Sequence, residues 1–321
     1  MSAAAARATV GHIERAASGA VRALLPDGKR WHFQHGPIDL VIEAWGDAAE
    51  CSRAYEQAWA RFTTVLPELV AELPLLRAPI NPRSLGDGDV KGAVARRMWR
   101  ACAPLASIFI TPMAAVAGAV ADEILAAMTA GRRLRKAYVN NGGDIAIHLA
   151  PGLRFETGIV GEVSKPKITA TADIAAEDGV RGIATSGWRG RSFSLGIADS
   201  ATILACDAAA ADAAATLVAN AVNTDGAAVR RRPASALDPD SELGEHLVTV
   251  DVGRLDGAAI AAALANGERA AHSLRASGRI AAAYIELCGQ RRAVGGEARS
   301  ARLGPMPRTN PSNELPWSLR Q

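Results

Sequence analysis

Apolar and polar positions along the chain alternate between two periods. Cys51, Tyr55, Ala58, Phe62, Val65 and Leu69 recur every three or four residues and form one helical stripe. Asp47, with Glu50 three residues on, is a capping-box signature for its start, and Pro67 predicts a kink or an end. Before this helix, residues 31–43 read as extended, with Ile38, Leu40 and Ile42 alternating after Gly36-Pro37. After it, residues 90–100 are basic with helical character. Thr111-Pro112 opens a further helix to about Ala130, which Gly131 and a run of basic residues close.

The period then shortens. Residues 137–140 and 144–149 flank Asn141-Gly142-Gly143, a hairpin signal. Residues 155–160, 182–185, 191–195 and 200–206 are further strand candidates. Residues 208–223 read as a helix, 229–245 as a loop and 247–252 as a strand, with two helices at 257–266 and 268–289. Strands and helices mix without regular βαβ alternation, which predicts an α+β fold rather than a doubly wound sheet. The expected organisation is an uncertain polar segment over 1–30, one domain over 31–290, and a disordered Arg-, Pro- and Gly-rich tail over 291–321. The Pro- and Gly-rich stretch 74–89 reads as a loop.

Composition narrows the picture. The 321 residues are 49% hydrophobic and 4% aromatic, with abundant alanine, so alanine periodicity is discounted as a signal. The net charge is +3; the last 31 residues carry six Arg and two Glu, which leaves about −1 for the rest. A basic balance confined to the tail argues against a nucleic-acid-binding face. Cys51, Cys102, Cys206 and Cys288 are scattered, which predicts small core residues in a reducing compartment rather than disulfides or a zinc site. No continuous run of about 18 apolar residues occurs. The longest candidate, residues 114–130, is interrupted by Gly118, Asp122 and Glu123, so the expectation is a cytoplasmic protein without a membrane span.

Three segments carry candidate chemistry, and each has an ordinary alternative. Asn140-Asn141-Gly142-Gly143-Asp144 allows close backbone approach to a ligand, and consecutive N–H groups there form an anion-binding concavity. Taken alone, it reads first as an ordinary Asn-Gly hairpin with Asp144, Ala146 and His148 on a polar face. Ala184-Thr185-Ser186-Gly187 places hydroxyls at a strand end, or is a simple Ser-Gly turn. On a helix, Asp212 and Thr216 share a face and offer hard oxygen ligands suited to Mg²⁺. Alternatively Asp207 caps that helix, Asp212 lies in its favourable first turns, and Thr216 packs.

In order and content these segments resemble the ApbE family, whose members bind FAD and use Mg²⁺ to transfer FMN onto a protein hydroxyl. The family shows Asn-x-Gly-Gly-Asp, then Ala-Thr-Ser-Gly, then Ala-Asp-x-x-x-Thr. This chain has Asn140 to Asp144, Ala184 to Gly187, and Ala211-Asp212 with Thr216. Residues 115–122 look like the family's Ala- and Gly-rich helix. The resemblance is specific over about 113–220 and extends from about 31 to 290. It implies antiparallel or mixed sheets with packed helices around a central ligand cleft. It implies that Asn141, Gly142, Gly143 and Asp144 contact a flavin nucleotide (FAD or FMN), and that Thr185, Ser186 and Gly187 line its site. Asp212 and Thr216, with a carbonyl near Ala115, would hold Mg²⁺, and the partner would be an acceptor flavoprotein.

The chain also departs from the family. The transferases carry a Lys in the Ala/Gly-rich helix, where Ala117 here runs into Gly118, and a His-x-x-Asp-Pro segment, where residues 193–200 here read Phe-Ser-Leu-Gly-Ile-Ala-Asp-Ser. These changes remove side chains from around the reacting phosphates, so they bear on transfer more than on binding. The pattern looks like a cytoplasmic branch of the ApbE-like proteins, with residues 35–40 and 196–199 as branch signatures. For transfer, the base candidates are Asp199, Asp144 and His148, in that order. The alternative is a non-catalytic flavin- or small-ligand-binding module. His32 and His35 fall on opposite strand faces, which argues against a shared metal. The absence of a GxGxxG loop, a Walker A loop and a G-x-S-x-G elbow leaves dehydrogenase, P-loop and α/β-hydrolase readings unsupported.

Overall fold

The computed structural model describes residues 13–81, 89–160 and 168–295, and the backbone of 302–305. Its strands are β1 (Ile13–Arg15), β2 (Val21–Leu24), β3 (Trp31–His35), β4 (Ile38–Gly46), β5 (Leu134–Asn141), β6 (Asp144–Leu149), β7 (Arg154–Val160), β8 (Ile168–Ala175), β9 (Gly182–Ser186), β10 (Ser200–Ala205), β11 (Val229–Pro233), β12 (Leu247–Val252), β13 (Ala282–Leu287), β14 (Gln290–Val294) and β15 (Arg302–Pro305). The helices are α1 (Ala48–Ala71), α2 (Leu73–Leu76), α3 (Ala93–Cys102), α4 (Val116–Thr129), α5 (Ala208–Ala221) and α6 (Gly257–Ala276). The fold is α+β.

Ten strands form one sheet in the order β1-β2-β3-β4-β5-β6-β9-β10-β13-β14. Its neighbours pair antiparallel, as in β5 on β6 and β9 on β10. Both faces are covered around β10 and β13, which explains why these strands are buried along their whole length. Ala201, Ile203, Ala283 and Ile285 point into a core shared with α5 and α6. Leu204, Ala282 and Tyr284 point the other way, onto the small sheet β15-β8-β7. In β6, Ala146 faces the helices while Ile147 and Leu149 face the small sheet, as the expected alternation requires.

The Asp47 cap forms, accepting from the Ala49 and Glu50 amides at 3.0 and 3.2 Å. The capping box does not close, because the Glu50 carboxylate instead takes the Arg133 amide and Arg53. Helix α1 continues past Pro67 to Ala71, so the proline does not end it. A helical proline costs about 3 kcal/mol. Phe62, Val65 and Leu69, all buried, return about 1.5–3 kcal/mol each and hold the helix on both sides of it.

Other expectations change with tertiary context. Residues 191–195 are a loop, not a strand. Residues 229–233 are a strand, not a loop, because β11 pairs with β12 and Arg230 bonds Asp251 across the ladder. The two expected C-terminal helices are one helix, α6, followed by β13. Gly267 does not break α6, because Val222 fills the space its side chain would take, and a doubly buried strand such as β13 has no period to distinguish it from a helix. Strands β1 and β2 occupy part of the N-terminal segment. The expected tail begins later than 291, since β14 completes a hairpin with β13 and residues 302–305 pair with β8. The rest of the tail, residues 1–12 and loop residues 82–88 lie outside the described residues.

All four cysteines are free, but Cys206 and Cys288 are exposed rather than core residues. The Pro112–Thr129 stretch meets the length and mean hydropathy, 1.3, of a membrane span, yet half of that window is buried within the protein. It packs on α1, α3 and α5.

Candidate functional site

The site sits where the β5–β6 turn, the end of β9 and the crossing of α4 and α5 meet. Gly142 and Gly143 form the turn, with φ of 65° and 115°, so the hairpin type that Asn-Gly-Gly promises is the one adopted. The Asn140 side chain accepts the Gly143 amide at 2.8 Å. That amide is therefore already satisfied, which removes part of the expected anion-binding concavity. Asn141 is buried and its carboxamide donates to the Ala117 carbonyl at 3.0 Å, tying the turn to α4.

Asp144 leaves the turn toward the helix layer. Its carboxylate accepts the Thr185 amide at 3.2 Å, which joins the first segment to the second. Thr185 and Thr202 share a hydroxyl hydrogen bond of 2.8 Å across β9 and β10. Ser186 ends β9 beside them, and Gly187 just after it has no room for a side chain against the Asp199 carbonyl.

Helices α4 and α5 cross at Gly118, where a Cβ would overlap the Ala208 carbonyl. This contact leaves no space for a longer residue where the helices meet. The alanines discounted in the sequence do the packing: Ala208, Ala209, Ala211, Ala213, Ala214 and Ala215 are all buried. The crossing lets each helix cap the other. The first residues of α4 have no local side-chain cap, and Asp212 of α5 accepts the Gly118 amide at 3.0 Å, with the Ala117 amide also acting on it. In return, Asp122 of α4 accepts the Ala208 and Ala209 amides of α5 at 3.0 and 2.9 Å. Asp207 takes the Ala210 amide as the expected local cap.

This brings carboxylates together in a poorly solvated place. Burial pushes Asp212 well above the usual carboxylate range, and the charge of Asp144 adds to the effect. Burial raises Asp144 too, opposed by the Thr185 amide and by the Arg191 charge. Burial and the neighbouring Asp207 push Asp122 up to about 7. An enclosed acid raised by the charge of a second one is relieved by a cation, and their oxygens are hard donors of the kind Mg²⁺ takes. Thr216 lies one turn beyond Asp212, and Ala115 ends a short 3-10 turn packed on α5. Among the described residues no group of three or more His, Cys, Asp and Glu side chains gathers for a metal. The residues present would hold only an ion that takes its remaining ligands from water and from a ligand's phosphate oxygens.

The first and third base candidates, Asp199 and His148, have their side chains engaged elsewhere. His148 faces Ala137 across the ladder, four residues and roughly 13 Å along β6 from Asp144, and its ring meets the Leu134 carbonyl at 3.3 Å. Asp199 follows the Trp188 loop; its carboxylate accepts the Cys288 amide at 2.6 Å and faces Arg189 at 3.7 Å. It braces the β13–β14 turn, where Cys288 has φ of 49°. His32 and His35 do diverge, bonding Asp39 and the Ser18 carbonyl respectively. Sequence reasoning missed Asp122 and Arg191. Arg191 lies directly over Gly142, and its only sequence signal is the pair of arginines around Gly190, just after the Thr-Ser-Gly segment.

The fold and site together define an antiparallel α+β protein with a glycine turn set beside a half-buried acid pair near a helix crossing. A family model described as AbpE bacteria matches residues 22–293, a span that holds every site residue above. A UPF0280 protein of Methanothrix thermoacetophila is 37% identical over 191 residues, covering 59% of this chain and 76% of the relative. One from Methanopyrus kandleri is 36% identical over 219 residues, covering 66% and 83%. The chain belongs to the AbpE bacteria family and to the UPF0280 proteins.

Proposed function

We propose that this protein is an ApbE-like protein that binds a flavin nucleotide, FAD or FMN, together with Mg²⁺. The observation that carries the reading is convergence. Asn140–Asp144, Thr185–Gly187 and Asp212, segments tens of residues apart, are linked by the Asp144–Thr185 hydrogen bond and by the charge of Asp144 acting on Asp212. A turn that admits close approach, hydroxyls at a strand end and a carboxylate pair are the parts that a phosphate-bearing cofactor with a dication needs. Asp212 and Asp144 would hold the ion, aided by Thr216 and the carbonyl near Ala115. Bound Mg²⁺ would supply charge neutralisation at the phosphates. Gly142 and Gly143 would admit the nucleotide, and Thr185, Ser186 and Gly187 would orient it.

Flavin transfer to an acceptor flavoprotein in the cytoplasm is the second reading. It draws on the same resemblance, but the chain's own residues favour binding. Asp199 is engaged with Cys288 and Arg189, and His148 stands a strand's length from Asp144. Calorimetric titration with FAD and with FMN, with and without Mg²⁺, tests the main reading. Absence of binding by either flavin under both conditions would sink it. Incubation with FAD, Mg²⁺ and candidate acceptors separates the two readings: AMP release with covalent flavin supports transfer, and binding without AMP supports the module.

A further inference from the structure

The loop from Trp188 to Arg191 carries a cation that the fold itself does not use. Several arginines of this protein are tied down: Arg22 to Glu14 and Glu56, Arg61 to Glu68 and Glu123, Arg154 to Asp173, Arg230 to Asp251. Arg191 is exposed and makes no hydrogen bond or ion pair with another described residue, although its charge is felt by the enclosed Asp144. Its guanidinium nevertheless has a defined seat. It rests on the β5–β6 turn so closely that a Cβ at position 142 would overlap its Nη2 and stand 3.0 Å from its Cζ. Glycine at 142 thus serves two ends, the positive φ of the turn and the room for this side chain. In the same loop the Trp188 indole N–H is buried with no partner among the described residues.

We propose that Arg191, seated on Gly142, is the phosphate-binding residue of the site and takes one phosphate group of a diphosphate-bearing ligand that arrives with a divalent cation. With the Gly143 amide taken by Asn140, the turn has one donor fewer to offer an anion. A guanidinium offers a planar fork that matches phosphate oxygens two at a time. The acids beneath the turn repel a bare anion, so the ligand enters with the cation that they hold, and Arg191 meets it from the solvent side. This places a cation near the phosphates in a chain that lacks the lysine expected in α4, where the Gly118 crossing has no space for one. The proposal rests on the nucleotide reading for the organic part of the ligand, but the phosphate subsite stands on Arg191 and Gly142 alone.

The test is calorimetry on the full chain with Mg²⁺ and four probes: inorganic pyrophosphate, riboflavin, FMN and FAD. Arg191→Gln should weaken pyrophosphate, FMN and FAD about tenfold or more and leave riboflavin, which has no phosphate, unchanged. Arg191→Lys should fall between, since it restores the charge but not the fork. Arg191 is exposed, so circular dichroism should show both variants folded; Gly142→Ala, which displaces the guanidinium, should repeat the loss. If the native protein binds pyrophosphate but no flavin, and Arg191→Gln loses it, the subsite stands and the flavin reading falls. If pyrophosphate affinity is the same in Arg191→Gln, or the native protein binds neither pyrophosphate nor FMN, the proposal is overturned.

Discussion

Replacing Asp122 with Asn should remove a large part of the pH dependence of folding stability. Asp122 sits between two helices, accepts the Ala208 and Ala209 amides, and titrates at about 7 because it is buried and faces Asp207. Its usual value is 3.8. Between those two values the folded protein holds a proton that the unfolded chain has released. Stability is therefore greatest below the lower value, falls as pH rises through the interval, and levels off above about 7. Three pKa units correspond to about 4 kcal/mol. Asp122 keeps some contact with solvent, so a range of ~2–4 kcal/mol applies. Asn keeps one acceptor for the α5 amides and does not titrate. Losing the other acceptor should cost about 1 kcal/mol at every pH. Urea unfolding at pH 5 and at pH 8, on native protein and Asp122→Asn, isolates the effect. About two of the three units fall between pH 5 and pH 8, so the gap in midpoint should narrow in the variant by about 0.5–1 M urea. Asp144 and Asp212 are raised as well, so the variant keeps a smaller dependence of the same sign. An identical gap in both proteins would refute the assignment.

Three further outcomes are expected. Asp212→Asn should abolish the Mg²⁺ dependence of FAD binding, and an unchanged dependence would remove Asp212 from the ion site. Gly118→Ala should destabilise the protein by about 1–3 kcal/mol, because the new methyl meets the Ala208 carbonyl; an unchanged thermal midpoint would contradict the close crossing. Asp199→Ala should lower stability by about 1–3 kcal/mol through the orphaned Cys288 amide, while FAD affinity stays native. A selective loss of FAD affinity with native stability would instead place Asp199 at the ligand.

The sequence by itself determined whatever depends on neighbours in the chain. Asn141-Gly142-Gly143 dictates its turn because only glycine takes those positive φ values without strain. Asp47 and Asp207 cap their helices because a short acid reaches amides two or three residues ahead. The alternation of Asp144 to Leu149 fixes which side chains meet the helix layer. The order of the three motifs was also legible, and with it the resemblance to the ApbE-like proteins. Tertiary structure decided the rest, because it depends on what covers a segment. Residues 268–289 divide into the end of α6 and a strand only because β13 is buried on both faces, and α1 survives Pro67 because a core holds it on either side. Asp122 and Asp212 cap each other's helices across a crossing that a single glycine permits, a relation invisible to any local pattern. Asp144 and Asp212 interact because the sheet and α5 bring them into one poorly solvated space. Arg191 acquires a seat only when the loop folds back over Gly142. Local geometry travels with the chain, whereas burial and charge proximity arise only when distant segments pack.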